Sequence, residues 1–96
     1  MVHVIARMEI KAGCMEAFEK ILDETVPQVL AEAGCIRYVP CVDVENTGGA
    51  TMLTFVECWE SEAHLQAHHH TPHMARFREL AAPLRGQADI YVMKPL

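Results

Sequence analysis

The sequence lacks long hydrophobic stretches and is poor in basic residues. Among its 96 residues, 8 Lys and Arg stand against 13 Asp and Glu, for a net charge of −5. Its apolar runs fall far short of the roughly 20 residues that a membrane-spanning helix needs. An acidic chain without clustered cations is also poorly suited to a nucleic acid or an anionic membrane surface. We therefore expect one domain over residues 1–96, with neither nucleic acid nor membrane as a partner.

The sequence also lacks any C-x-x-C pair. Its four cysteines are scattered, at Cys14, Cys35, Cys41 and Cys58. This spacing argues against a zinc knuckle or a thioredoxin-type site. The first residues show neither the basic stretch nor the apolar core of a secretion signal. We therefore predict a cytoplasmic protein whose cysteines are reduced and pack as small apolar side chains.

The first third of the chain predicts a strand followed by a helix. Apolar residues alternate over Val2–Ile10, which indicates a strand with one buried face. From Cys14 onward the apolar spacing changes to three and four residues, the period of a helix. Pro27 predicts a kink or a restart within that helix, and Gly34 predicts its end.

Two further strands and a connecting turn are predicted next. Cys35–Glu45 is the first of them, and Pro40 makes it an edge or bulged strand because proline cannot donate to a ladder. Its apolar face is predicted to hold Ile36, Tyr38, Val42 and Val44. Asn-Thr-Gly-Gly at 46–49 predicts a hairpin turn. Thr51–Glu60 then forms a strand that is apolar on both faces.

The last third predicts two short helices and a final strand. Ser61 is a good N-cap for a helix that runs to about His70. Thr71-Pro72 combines a second cap with proline at the first helical position, which indicates a new helix. Gly86 is predicted to end this helical region, and Ala88–Lys94 to form the last strand.

The element order β-α-β-β-α-β predicts an α+β fold, a ferredoxin-like antiparallel sheet with helices on one face. Three of the predicted strands nevertheless carry apolar residues on both faces, and 51% of the chain is hydrophobic. The chain has no element left to cover the second face. A ligand pocket or a second copy of the sheet must cover it, and we predict an obligate homodimer, since two-fold pairing is the commonest oligomer type.

Five histidines surround the Thr71-Pro72 step, at His64, His68, His69, His70 and His73. His64 and His68 stand four residues apart and share a helix face, as in helical metal sites. No H-E-x-x-H pattern accompanies them, so we predict no native metal site. The open alternatives are a polar helix end and a pocket wall, in which a neutral imidazole accepts a phenolic proton.

Three other side chains allow two interpretations each. Trp59 is either a core residue or one wall of an aromatic-binding pocket, and Tyr38 has the same two possibilities. Glu57 is a carboxylate within an apolar strand. It either pairs with Arg7 or Arg37 across the sheet, which we favour, or acts as a base.

Three segments of the sequence resemble the antibiotic biosynthesis monooxygenase family. They are E-A-G-C-I-R-Y at 32–38, E-C-W-E-S-E-A-H-L-Q-A-H at 57–68 and T-P-H at 71–73. The resemblance covers essentially the whole chain and agrees with the predicted element order. It implies a dimeric α+β barrel in which two sheets pack face to face.

The resemblance also implies chemistry. Several members of the family oxidise phenols or quinols with O2, without flavin, haem or metal, so no cofactor is expected. Trp59 and His68 match the family's pocket tryptophan and helix histidine, which makes them the candidate catalytic residues. His73 matches its second histidine and Tyr38 the tyrosine of its step motif, which implies that both are pocket residues. Trp59 would donate to the developing oxyanion, and His68 would take the phenolic proton. The expected ligand is a small aromatic or quinone-like molecule.

One position departs from the better-understood members, which carry an asparagine four residues before the tryptophan. Here Phe55 takes its place as a pocket residue, and it cannot donate to a phenolate. The haem-degrading branch also depends on an asparagine, and Asn46 lies in the predicted turn. Two alternatives to the oxygenase are a non-catalytic small-ligand-binding or stress-response barrel, and an isomerase or breakdown enzyme for a small metabolite.

Overall fold

The protein is described by a computed structural model over residues 1–45 and 49–96. The strands are β1 (Val2–Ile10), β2 (Cys35–Val42), β3 (Thr51–Trp59) and β4 (Arg85–Met93). The α-helices are α1 (Met15–Leu30), α2 (Glu62–His69) and α3 (Pro72–Ala81), with a short 3-10 turn at Ala82–Leu84. The turn predicted at 46–49 falls mostly outside the described residues.

The four strands form one antiparallel sheet in the order β2-β3-β1-β4. The predicted ferredoxin-like α+β fold is thereby confirmed. β2 lies at one edge, as Pro40 predicted, and β4 lies at the other. The helices α1 and α3 contact each other, and residues of all three helices join the core on one side of the sheet. None of the described helices is both long and apolar enough to cross a bilayer.

The inner face of the sheet, which meets the helices, is set by the alternation in β1. Its even-numbered residues are all buried, and in register Val4 lies opposite Glu57 and Ala6 opposite Phe55. Opposed residues in antiparallel strands point to the same side, so one buried row of β1 fixes the inner row of β3. The helices bring Phe18, Leu65 and Phe77 onto this face.

The outer face of the sheet is uncovered in the single chain. Its central residues are Ile5, Val39, Val56, Tyr91 and Met93, and the register places them on one side. Three of these side chains are exposed, Tyr91 by 59%, Met93 by 44% and Val39 by 38%. The apolar surplus that the sequence predicts is therefore located on this face.

A predicted helix restart and a predicted helix end are not observed. α1 is continuous through Pro27, so there is no restart there. Pro27 is exposed, so the carbonyl one turn earlier that loses its N–H donor lies on the solvent side of the helix. Gly86 lies inside β4, where the pairing with β1 shifts register between Met8 and Ile10. A glycine at such an irregularity is typical of a bulge, which explains why β4 starts three residues earlier than Ala88.

β2 also differs from its prediction. It ends at Val42, and its register with β3 shifts between Cys35 and Arg37. Ile36 is the extra residue at this bulge and is exposed. Of the four apolar residues assigned to one buried face, only Tyr38 is buried in the single chain.

Both predicted helix caps are present. The Ser61 hydroxyl accepts from the backbone N–H of His64, and the Thr71 hydroxyl accepts from that of Met74. Gly34 has φ +79 and follows the last turn of α1. A Cβ at Gly34 would overlap the His64 ring, so glycine is needed both for the backbone conformation and for the close approach of α2.

Candidate active site

A cavity of about 180 Å³ lies between the inner face of the sheet and helices α2 and α3. Most of its wall is apolar, and the apolar residues are Val4, Ala6, Met8, Phe55, Met74, Phe77, Ala88 and Ile90. A dry apolar cavity of roughly 150 Å³ holds one benzene molecule in another protein, so this space suits one aromatic ring. Phe55 forms part of the wall and packs between the Tyr38 and Phe77 rings, with centroids at 5.3 and 6.0 Å.

Besides His69, Arg78 and Arg85, three polar side chains reach this mostly apolar cavity, each from a different element. They are Tyr38 from β2, Glu57 from β3 and His68 from α2. The Tyr38 hydroxyl has no hydrogen-bond partner among the described residues. Every fully buried side-chain nitrogen or oxygen of these residues does have a partner, so the Tyr38 hydroxyl is not fully buried. The hydroxyl is therefore open to the cavity. Burial raises the pKa of Tyr38, so it remains a protonated donor.

Glu57 lies on the inner face and is only 7% exposed. Its Oε1 accepts from the indole Nε1 of Trp59 at 3.0 Å, and its Oε2 has no partner among the described residues. Burial raises the pKa of Glu57 to about 7, despite the opposing effect of the Trp59 hydrogen bond. A carboxyl group with this pKa can both give and take a proton near neutral pH.

The predicted pairing of Glu57 with an arginine was wrong. Arg7 lies on the outer face, where its guanidinium makes a two-pronged bond to Asp43 at 2.8 and 3.0 Å and a third to Thr54. The alternation of side chains along the strands explains why Arg7 cannot reach Glu57. Arg7 pairs with Thr54 in register, and both side chains point away from the helices. Glu57 has the opposite parity and therefore faces the cavity.

His68 is held by a carboxylate behind it. Its Nδ1 bonds to Glu32 Oε2 at 2.9 Å, while its Nε2 has no partner among the described residues. The ring is 2% exposed and packs at a tilt against Trp59, with a centroid distance of 4.6 Å. Burial lowers the pKa of His68, although the hydrogen bond to Glu32 raises it. A neutral ring with Nδ1–H on Glu32 carries its lone pair on Nε2, the atom that a cavity ligand can reach.

His73 approaches the same carboxylate from α3. Its Nε2 lies 2.7 Å from Glu32 Oε2, and the carboxylate therefore joins the two histidines. His73 is not among the residues that line the cavity, although the sequence placed it in the pocket. Glu32, in the turn after α1, therefore connects His73 to the cavity residue His68.

The structure brings Trp59 close to the site without placing it in the wall. Trp59 is fully buried, and it does not line the cavity. Its indole N–H, which the sequence analysis assigned to an oxyanion, donates to Glu57. The geometry therefore connects Trp59 to the cavity through Glu57, on the one side, and His68, which it packs against, on the other.

The other three histidines of the cluster have different surroundings. His64 packs against Gly34 and bonds to Ser61 Oγ through Nδ1 at 2.7 Å. His69 contributes to the cavity wall, while His70 is exposed at the end of α2. Over residues 1–45 and 49–96, no three His, Cys, Asp or Glu side chains are arranged to hold a metal ion.

Sequence reasoning gave no role to Glu32 and did not favour the base role for Glu57. Glu32 begins the E-x-G-C step that carried the resemblance, so its position was known and its contact was not. Glu57 stands two residues before Trp59, and side chains two apart in a strand share a face. That spacing alone could have placed its carboxylate beside the indole.

The fold and the cavity define a class of small α+β proteins with a one-ring pocket between sheet and helices. The antibiotic biosynthesis monooxygenase family matches this sequence over residues 1–80. The chain belongs to that family, as the sequence resemblance indicated.

Individual relatives agree with this assignment. The chain is 33% identical to the probable quinol monooxygenase YgiN of Escherichia coli, over 99% of this chain and 98% of that protein. A solved structure from Pseudomonas aeruginosa is 28% identical over 99% of this chain and 93% of its own, with a TM-score of 0.87. A Nitrosomonas europaea protein has a TM-score of 0.91 at 20% identity, over 100% of this chain and 99% of its own, and shows the shared fold.

Proposed function

We propose that the protein is a cofactor-independent monooxygenase that uses O2 to oxidise a small phenolic or quinol-like compound. The observation that carries the proposal is the Glu32–His68 pair. It leaves a free ring nitrogen facing an apolar cavity of one-ring size. The family and the relative named as a quinol monooxygenase support the reaction class.

The first step is removal of the phenolic proton. The substrate hydroxyl donates to Nε2 of His68, and Glu32 stabilises the ring that has become positive, through Nδ1–H. Glu57 is a second group able to exchange a proton at the cavity near neutral pH, because of its raised pKa. Trp59 acts on this step indirectly, as a positioning residue for Glu57 and His68.

The resulting phenolate needs a hydrogen-bond donor, and Phe55 cannot supply one. The Tyr38 hydroxyl is open to the cavity and its ring packs on Phe55 at 5.3 Å. We assign Tyr38 the role of donor to the phenolate oxygen, in place of the asparagine that other family members carry.

The second step transfers electrons from the phenolate to O2. A ring carbon made electron-rich by the phenolate forms a bond to one oxygen atom, and the O–O bond then breaks. For a hydroquinone, one oxygen atom remains on the ring as a hydroxyl and the other leaves as water. The product is the hydroxyquinone, so that one quinol and one O2 give one hydroxyquinone and one water. The substrate supplies all the electrons.

The active form is proposed to be an obligate homodimer. The outer face carries exposed apolar side chains, among them Tyr91 and Met93, beside the Arg7–Asp43 ion pair, and no other element of the described chain covers it. A second copy supplies an identical sheet, and two-fold packing of the two outer faces closes both. The cavity lies on the opposite side of each sheet, so each protomer keeps its own site.

Oxygen uptake by the metal-stripped protein tests the proposed reaction. One-ring hydroquinones should be consumed with one O2 each, and two-ring naphthols more slowly because of the size of the cavity. Uptake restored only by added metal contradicts cofactor independence. Binding without uptake for every compound supports a ligand-binding barrel, and conversion of a bound compound without O2 supports an isomerase.

A further inference from the structure

Two arginines stand at the mouth of the cavity, the side where its lining is exposed. Arg78 comes from α3 and Arg85 from the first residue of β4. They are two of only 8 basic residues in a chain of net charge −5. A cavity whose inner wall is mostly apolar therefore has two positive charges at its entrance.

Neither guanidinium is neutralised by a carboxylate among the described residues. Two other arginines are neutralised in this way: Arg7 bonds to Asp43 at 2.8 Å, and Arg76 bonds to Glu24 at 3.3 Å. Arg78 and Arg85 are left to interact with a charged group that the described residues do not provide.

Backbone carbonyls hold both side chains in place. Arg78 Nη2 donates to the carbonyl of His69 at 2.9 Å, and Arg85 Nη1 donates to that of Gly86 at 3.1 Å. A guanidinium has five N–H donors, so most of them remain free on each arginine. A planar fork of free donors with no anion is the arrangement that binds a carboxylate through two parallel hydrogen bonds.

We propose that the natural ligand is a one-ring phenol that carries a carboxylate, which Arg78 and Arg85 bind at the mouth. The ring then fills the apolar cavity, and its hydroxyl points inward to His68. The opposite orientation would bring the carboxylate against Glu57 in an apolar surrounding, which is unfavourable for two negative groups. The reacting hydroxyl in this pose rests on the proposed function, whereas the carboxylate subsite does not depend on catalysis.

Matched ligands test the subsite directly. The probes are 4-hydroxybenzoate and 4-hydroxybenzyl alcohol, which share the ring and phenol and differ in the charge of the group opposite. Calorimetry should show about 10-fold or greater preference for the acid, decreasing with added salt. Trp59 is the sole tryptophan and packs on His68, so its fluorescence gives a second reading from beside the cavity.

Variants that remove one positive charge test whether the two arginines cause the preference for the acid. Arg78→Gln and Arg85→Gln should each weaken the acid by about 10-fold and leave the alcohol unchanged. Arg76→Gln is the control, because Arg76 lies on the same helix and pairs with Glu24 away from the cavity. Both mouth arginines are at least partly exposed, so these variants should fold, as circular dichroism will verify.

The outcomes separate this subsite from the oxygenase proposal. Equal affinity for acid and alcohol overturns the subsite, as does binding of neither, or a preference that survives both substitutions. If neutral hydroquinones are oxidised without any preference for acids, only the subsite is wrong. If the acid binds through the arginines but no phenol consumes O2, the subsite stands and the oxygenase proposal is wrong.

Discussion

The indole N–H of Trp59 donates to Glu57 Oε1 at 3.0 Å, although both residues belong to the same strand. The two side chains stand two residues apart, so they share the inner face, where both are buried. The bond fixes one carboxyl oxygen and leaves the other towards the cavity. A buried carboxyl group without an ion pair is costly to ionise, and this affects both stability and chemistry.

Glu57 should make folding stability fall as the pH rises. Its pKa is raised from 4.5 to about 7 in the folded protein, so between these values the folded state holds a proton that the unfolded state has released. The free energy of unfolding therefore decreases across this range, by about 3 kcal/mol once pH 7 is passed. Glu57→Gln still accepts from Trp59 and cannot ionise, so it should lack this decrease.

Urea denaturation of both proteins at equal concentration, from pH about 5 to about 8, measures the effect. Wild type should lose about 3 kcal/mol relative to Glu57→Gln over this range. Glu60→Gln is the control, since Glu60 is exposed at the end of the same strand and should follow wild type. Parallel curves for wild type and Glu57→Gln would contradict the raised pKa.

Removal of the His68 ring should strongly reduce turnover without dissociating the protein. His68→Ala should reduce kcat by about 100-fold or more, because general-base catalysis typically contributes that much. Added imidazole should restore part of the rate by occupying the vacated space. His70→Ala is the control, since His70 is exposed at the end of the same helix. A His68→Ala protein that falls apart into monomers would instead identify a structural residue.

Glu32 should act through His68, which gives it a distinct kinetic signature. The carboxylate raises the pKa of His68 against the effect of burial. Glu32→Gln should therefore lower that pKa, and the acidic limb of the kcat profile should move to lower pH. The maximal rate should also decrease by about 10-fold or more, because the ring loses its fixed tautomer. A lower rate with an unmoved acidic limb would contradict this role and leave Glu32 a structural part of the turn.

Most of the fold could be predicted because local signals and the sheet agree. The alternation in Val2–Ile10 and the caps at Ser61 and Thr71 are decided by neighbouring residues, and all three predictions were confirmed. The restart predicted at Pro27 and the helix end predicted at Gly86 were wrong because tertiary context decides both. An exposed proline is tolerated where its helix is packed on the other side, and a glycine can serve a bulge as well as a helix end.

The site was harder to predict than the fold because its contacts are long-range. Glu32 and His68 are 36 residues apart, and no periodicity in the sequence connects them. Resemblance pointed to His68 and Tyr38, and the structure shows both at the cavity. It could not show that the Trp59 indole is already bonded, since that depends on the parity and burial of Glu57.

The outer face should be required for assembly. Ile5 and Tyr91 lie opposite each other in register on this face. Tyr91→Glu places a charge there, and burying it in a dimer interface is unfavourable by several kcal/mol. Sedimentation velocity at micromolar concentration should show wild type as a dimer and Tyr91→Glu as a monomer or an unfolded chain. Leu30→Glu, at an exposed position on α1, should remain dimeric. A stable, folded wild-type monomer would contradict the proposed assembly.

Gly13 and Gly34 have the same backbone conformation but different surroundings, so alanine substitutions at the two positions distinguish backbone strain from steric overlap. Gly13 has φ +80 and Gly34 has φ +79, values that cost an L-residue about 1–2 kcal/mol. A Cβ at Gly13 meets nothing within 4 Å, whereas one at Gly34 overlaps the His64 ring. Gly13→Ala should therefore lower the free energy of unfolding by about 1 kcal/mol, and Gly34→Ala by about 3 kcal/mol or more. Gly34→Ala should also reduce turnover, since displacing His64 moves α2 and with it His68. Equal destabilisation in urea titrations would show that α2 does not depend on this contact.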